Sequence, residues 1–210
     1  MSKFPGGELH IVKFGFLLSE GFDLYSLANA IQPLRSANHV AGFQLCEWQI
    51  LSLEGGTLNA SSGIATETTR LDHAQLFNVL ILCTAENLHS DADYDAVMQR
   101  LDHWITEPVN LGAFGGAGWL LAMSGALNGF RCSLPETGYS QHLGIYKDIK
   151  FVTAPFCVDR GRLTCIGRQA VQGLMCEFLA QEYGGYIMLE VEKNLAVKSG
   201  ASGTIPQVRT

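Results

Sequence analysis

The chain has 210 residues, a formal net charge of −6, 47% hydrophobic residues and 16% charged ones. That balance describes a well-buried globular protein and excludes a disordered one, and without a run of Lys or Arg these residues are poorly suited to gripping a phosphate backbone. No apolar run has the length of a membrane span, and Met1 to Glu8 lacks a signal-peptide pattern, so a cytoplasmic protein with no membrane contact is expected. The six cysteines (Cys46, Cys83, Cys132, Cys157, Cys165 and Cys176) form no C-x-x-C pair, which predicts reduced, buried thiols and neither zinc nor a disulfide framework.

His10 to Leu18 is a short apolar run that predicts a buried first strand. Apolar residues then recur with helical spacing at Leu24, Leu27, Ala28, Ile31 and Leu34, with Asp23 as N-cap. Pro33 removes the amide that would bond the Asn29 carbonyl, so a kink or restart is expected there. Glu47 to Leu53 reads as the second strand, and short polar extended pieces follow through Thr69. Val79 to Cys83 is continuous and apolar, as a central parallel strand should be. Ser90-Asp-Ala-Asp93 opens a helix with a buried stripe at Tyr94, Val97, Met98, Leu101, Trp104 and Ile105, ended by Pro108.

The stretch that organises the rest is Leu111 to Ala122, where an apolar lead-in meets Gly112, Gly115, Gly116 and Gly118 before a helical run takes over. Glycine tolerates the strained dihedrals of a sharp strand-to-helix turn. Such turns lie at the carboxyl ends of strands, where α/β folds bind ligands and where many enzymes mount a nucleophile. This turn holds no Ser, Cys or Thr. It is also no phosphate loop, since it lacks the G-K-[ST] ending and cannot be fitted to G-x-G-x-x-G. Beyond it, Phe130 to Leu134 is expected as a strand, Tyr139 to Tyr146 as a short helix, and Phe151 to Val158 with Arg162 to Ile166 as a hairpin about Asp159-Arg-Gly161. Gly167 starts a helix, another carries Ile187 to Leu195, and residues 198–210 read as a linker or tail. Strands alternating with helices predict a parallel sheet covered on both faces.

The run Asp23 to Asn38, together with Glu47-Trp-Gln-Ile-Leu-Ser52, Gly112-Ala-Phe114, Trp119 to Gly129 and Arg162 to Gly167, resembles one group within the PfpI/ThiJ-type, class I glutamine-amidotransferase-like superfamily. That group forms the N-terminal domain of GlxA-type, AraC-family transcription regulators, and the ordered matches cover about residues 9 to 197. The resemblance implies a flavodoxin-like three-layer α/β sandwich, a homodimer, a pocket at the glycine turn, and a helix-turn-helix domain after the linker as the only route to DNA. It also marks departures. The position of the family's catalytic Cys falls at Gly115, and that of a site His at Pro135. A paired glycine becomes Thr84-Ala85, and an Asp position falls at Gly173.

Covalent catalysis needs a nucleophile with a base in reach, and both positions are vacant. That argues against an enzyme, and the resemblance then implies a non-catalytic sensor of a small-molecule effector, an amine or amino-acid-like metabolite. Its expected ligand contacts are Cys83, Thr84, Ala85, Gly115, Gly116, Trp119, Glu136 and Arg168. Trp119 is either a core tryptophan or an aromatic wall for a cation. Arg168 is either a carboxylate clamp at a helix start, or a surface residue or one paired with Glu136 or Asp159. Glu136 reaches the pocket or caps a helix, and Cys83 is an inert thiol unless its pKa is lowered. The histidines show no ligand spacing, so neither metal nor cofactor is expected. The alternatives are a hydratase-, amidase- or glyoxalase-like enzyme with a displaced nucleophile, Cys83, and a dimerisation module with a degenerate pocket.

Overall fold

The computed structural model describes residues 10–84, 91–136 and 146–198. An eight-stranded sheet runs in the order β3-β4-β2-β1-β5-β6-β10-β9. Its strands are β1 (Val12–Leu18), β2 (Cys46–Ser52), β3 (Gly56–Asn59), β4 (Ala65–Arg70), β5 (Val79–Cys83), β6 (Asn110–Phe114), β9 (Phe156–Asp159) and β10 (Arg162–Cys165). The helices are α1 (Leu24–Ala41), α2 (Asp91–Thr106), α3 (Gly118–Met123), α4 (Val171–Tyr183) and α5 (Gly185–Lys198). The run β2-β1-β5-β6-β10 is parallel throughout, and antiparallel pairs occur at the two ends, β3 with β4 and β9 with β10. This is the flavodoxin-like α/β sandwich expected from the sequence, with its switch point between β1 and β5.

Strand periodicity divides the core in two. Phe14, Phe16, Val79, Ile81, Phe114, Leu163 and Cys165 point to the face covered by α1, α4 and α5. Leu17, Leu80, Leu82, Leu111 and Ala113 point to the face covered by α2 and α3. Val79 to Cys83 is buried at every position, because β5 has a strand on either side and a helical layer on each face.

Asp23 caps α1, and Gly42 ends it in the left-handed conformation. Between them the helix runs through Pro33 as one element, so of the kink or restart expected there the restart does not occur. The missing hydrogen bond is one loss in a helix pinned elsewhere. The Pro33 ring is buried, and the Asn38 side chain fastens the last turn to the Leu45 and Cys46 amides and the Cys46 carbonyl, each at 2.8 Å.

The segment after α3 also departs from expectation. Only Arg131–Cys132 (β7) of the predicted strand pairs, and its partner is Lys150–Phe151 (β8) in a separate two-stranded sheet. Phe151 therefore belongs to β8, while β9 starts at Phe156 and returns through a two-residue turn, Arg160-Gly161, with φ of +48° and +79°. The expected helix at Tyr139 to Tyr146 lies outside the described residues except for Tyr146, which is not helical. Residues 199–210 of the expected linker also lie outside them.

Candidate functional site

The carboxyl ends of β5, β6 and β10 and the start of α1 enclose a cleft of about 410 Å³. It is lined by Asp23 and Ser26 from α1, by Cys83 and Thr84 at the end of β5, and by Phe114, Gly115 and Gly116 after β6. Pro135, Ile166, Gly167 and Arg168 complete it. A shallower depression of about 470 Å³ adjoins it, sharing Ile166, Gly167 and Arg168 and running on to Phe156 and Gly173.

The elbow is built by glycines with different duties. Gly115 sits directly after β6 with φ of +56°, the left-handed region that L side chains rarely adopt. Gly118 opens α3 where a β-carbon would stand 2.3 Å from Leu134 Cδ2, so its small size lets the helix seat on a buried leucine. The turn therefore keeps the backbone of a nucleophile elbow and presents no reactive side chain.

Asp23 organises the polar part of the cleft. Its carboxylate accepts hydrogen bonds from the Tyr25 and Ser26 amides, both at 3.3 Å, and from the Ser26 hydroxyl at 2.6 Å. The Arg168 Nε stands 3.7 Å from the same carboxylate, joining the short helical turn ahead of α4 to the first turn of α1. Asp23 is thus a partner of Arg168, while Asp159 pairs with Arg160 and accepts from the Arg131 amide.

Two thiols flank the elbow. The Cys83 Sγ donates to the Asp23 carbonyl at 3.9 Å, and the Cys165 Sγ donates to the Gly167 carbonyl at 3.7 Å. Burial pushes the Cys83 thiol up, and the Asp23 charge and Cys165 push it further. Burial raises Cys165 to about 11, against the opposing pull of the Gly115 and Gly167 amides. Both remain protonated near neutral pH, the unreactive form of cysteine.

Of the residues expected at the site, Cys83, Thr84, Gly115, Gly116 and Arg168 come together in this cleft. Ala85 lies outside the described residues. Glu136 is exposed and is not among the lining residues. Trp119 needs a correction. It is 8% exposed and packs in the α2–α3 core, with ring centroids 5.9 Å from Phe151 and 6.3 Å from Tyr146. The reason is topological: α3 covers the face opposite α1 and α4, so its tryptophan turns away from the cleft. Sequence reasoning missed Asp23, read there only as a helix cap, along with Pro135 and Gly167, and it also missed Ser26, Phe114 and Ile166. Phe114 and Ile166 each adjoin a named glycine turn, and Ser26 lies one turn into the helix that Asp23 caps, so position beside a strand's carboxyl end was the available signal.

No family model matches the chain. The HTH-type transcriptional regulator GbdR of Pseudomonas aeruginosa is 32% identical over 171 residues, which are 81% of this chain and 46% of that protein. The HTH-type transcriptional regulator GlxA of Rhizobium meliloti is 27% identical over 180 residues, 83% of this chain and 54% of that protein. The chain therefore spans about half the length of the curated relatives it matches. A solved AraC family transcriptional regulator from Pseudomonas putida superposes with a TM-score of 0.75 at 22% identity, covering 88% of this chain and 99% of that one. A ThiJ/PfpI family protein from Pseudomonas syringae gives a TM-score of 0.72 at 14% identity, covering 99% and 81%. Those two structures share the fold, and the regulator sequences supply the kinship. No helix among the described residues is long and apolar enough to cross a membrane. Over four fifths of its length the chain is related in sequence to HTH-type transcriptional regulators, and it shares its fold with an AraC family regulator and a ThiJ/PfpI family protein.

Proposed function

We propose that the chain is the small-molecule-sensing and dimerisation domain of a cytoplasmic, DNA-binding AraC-family transcription regulator, and that it catalyses nothing. The observation that carries the reading is the elbow at Gly115, which offers space in place of a nucleophile beside two buried, protonated thiols. Its kinship with GbdR and GlxA supports the regulatory side. In this reading an amine or amino-acid-like effector enters the cleft and sets its carboxylate against Arg168 in charge-assisted hydrogen bonds. The same guanidinium holds Asp23, so occupancy competes with a contact that ties the α4 turn to α1. An effector that binds one arrangement of these helices more tightly shifts the population toward it. The readout passes to DNA through a helix-turn-helix domain outside these residues.

Thermal-shift screening against amines and amino acids tests the reading. An effector at about 100 times its Kd contributes about 2.7 kcal/mol and raises Tm by about 5–10 °C, and Arg168→Ala removes most of the rise. Turnover of any of these compounds, abolished by cysteine alkylation, would establish the enzyme reading instead.

A further inference from the structure

Backbone conformation and free space agree at one position of the cleft. Gly115 is left-handed, and among the described residues a β-carbon built on it meets only the Gly167 Cα, at 3.8 Å, an ordinary van der Waals contact. Its neighbours in the same stretch behave differently. A β-carbon on Gly112 would crowd Ile81 and Leu163, both at 3.1 Å, and one on Gly118 would collide with Leu134. Those two glycines are small because the core fills their space, whereas the space over Gly115 opens into the cleft.

The surroundings of that space are graded. Asp23 and Arg168 supply the charged part of the lining. Phe114 and Ile166, which precede Gly115 and Gly167 in the chain, supply the apolar part, together with Pro135. A compact molecule with a carboxylate at one end and a small apolar substituent at the other matches both parts.

We propose that Gly115 is the specificity-determining residue of the cleft: the volume left by its missing side chain, bounded by Gly167, receives the apolar substituent of the effector while Arg168 holds the carboxylate. The proposal rests on the sensor reading and adds the group that sets the size of the effector. Added bulk at position 115 subtracts from the ligand's space and leaves the core intact. Left-handed backbone disfavours any L residue there, so the test includes a control for strain. Gly42 is also left-handed, with φ of +77° and nothing within 4 Å, and it lies at the far end of α1.

The experiment has two arms, both on the full 210-residue chain. In the first, Gly115→Cys is titrated with dithionitrobenzoate under native conditions. The six native cysteines are buried, and the introduced thiol is expected to react at least about tenfold faster than any of them. In the second, glycine, L-alanine, L-serine and their N-methylated forms are titrated calorimetrically into the wild type, Gly115→Ala and Gly42→Ala. Affinity for the best of these probes should fall about tenfold or more in Gly115→Ala, the scale of one added methyl in a close-fitting pocket, and stay unchanged in Gly42→Ala. An introduced thiol as slow as the native six, or equal affinity in wild type and Gly115→Ala, overturns the proposal while leaving the sensor reading in place. Failure of every probe to bind the wild type, with a fast introduced thiol, removes the sensor reading and this proposal with it.

Discussion

The turn after β6 and the turn after β10 both carry a strand into a helix at the carboxyl end of the sheet, the first contributing Gly115 and Gly116 to the cleft and the second Gly167. After β6, the first large side chain is Trp119, which goes into the core against Phe151. After β10, Gly167 is followed by Arg168, whose side chain is 55% exposed and reaches Asp23. The helices explain the difference, because α3 lies on one face of the sheet and α4 on the other. The two turns meet where Gly115 and Gly167 approach, so the cleft is floored by the first and charged by the second. What this teaches is that a residue's position after an elbow does not give its role, whereas the layer its helix joins does.

The division can be broken at either turn. Trp119→Ala should cost about 3–5 kcal/mol, as emptying an aromatic site in a core does, and leave effector affinity unaltered. Urea unfolding and calorimetric titration on one preparation separate these effects, and a stable variant that no longer binds would move Trp119 back into the site. Gly118→Ala forces a methyl against buried Leu134 and should cost about 1–3 kcal/mol by overpacking. A double substitution with Leu134→Ala should recover part of that loss.

Asp23→Ala removes the cap of α1 and should cost about 1 kcal/mol. It also removes the carboxylate that an effector would displace at Arg168, so a carboxylate-bearing effector should bind the variant no more weakly than the wild type. A loss of affinity there would show that Asp23 touches the effector itself. Arg168→Ala should change stability by less than about 0.5 kcal/mol, as an exposed and long ion pair contributes little. It should still weaken effector binding about tenfold or more, since a charge-assisted hydrogen bond is lost.

Much of this was legible in the sequence, for reasons that individual residues make plain. Val79 to Cys83 announces a central strand because burial on both faces demands unbroken apolar character. Asp23 announces α1 because the cap is a local interaction within three residues. The vacancy at Gly115 was visible because an absent side chain can be read directly, given the resemblance. What escaped was long-range. The β7–β8 pairing joins Arg131 to Lys150 and the Arg168–Asp23 contact joins the last third of the chain to its first helix, and neither leaves a periodic trace. Trp119 was ambiguous because α3 has six residues, too few for a stripe to show which face is buried.

The most direct test is an amide NMR titration of the isotope-labelled chain with amines, amino acids and their N-methylated forms. A sensing cleft at the elbow predicts saturable shifts at Gly115, Gly116, Gly167 and Arg168, with every added compound recovered unchanged. Saturation with shifts confined elsewhere, or conversion of a compound during the titration, would contradict it.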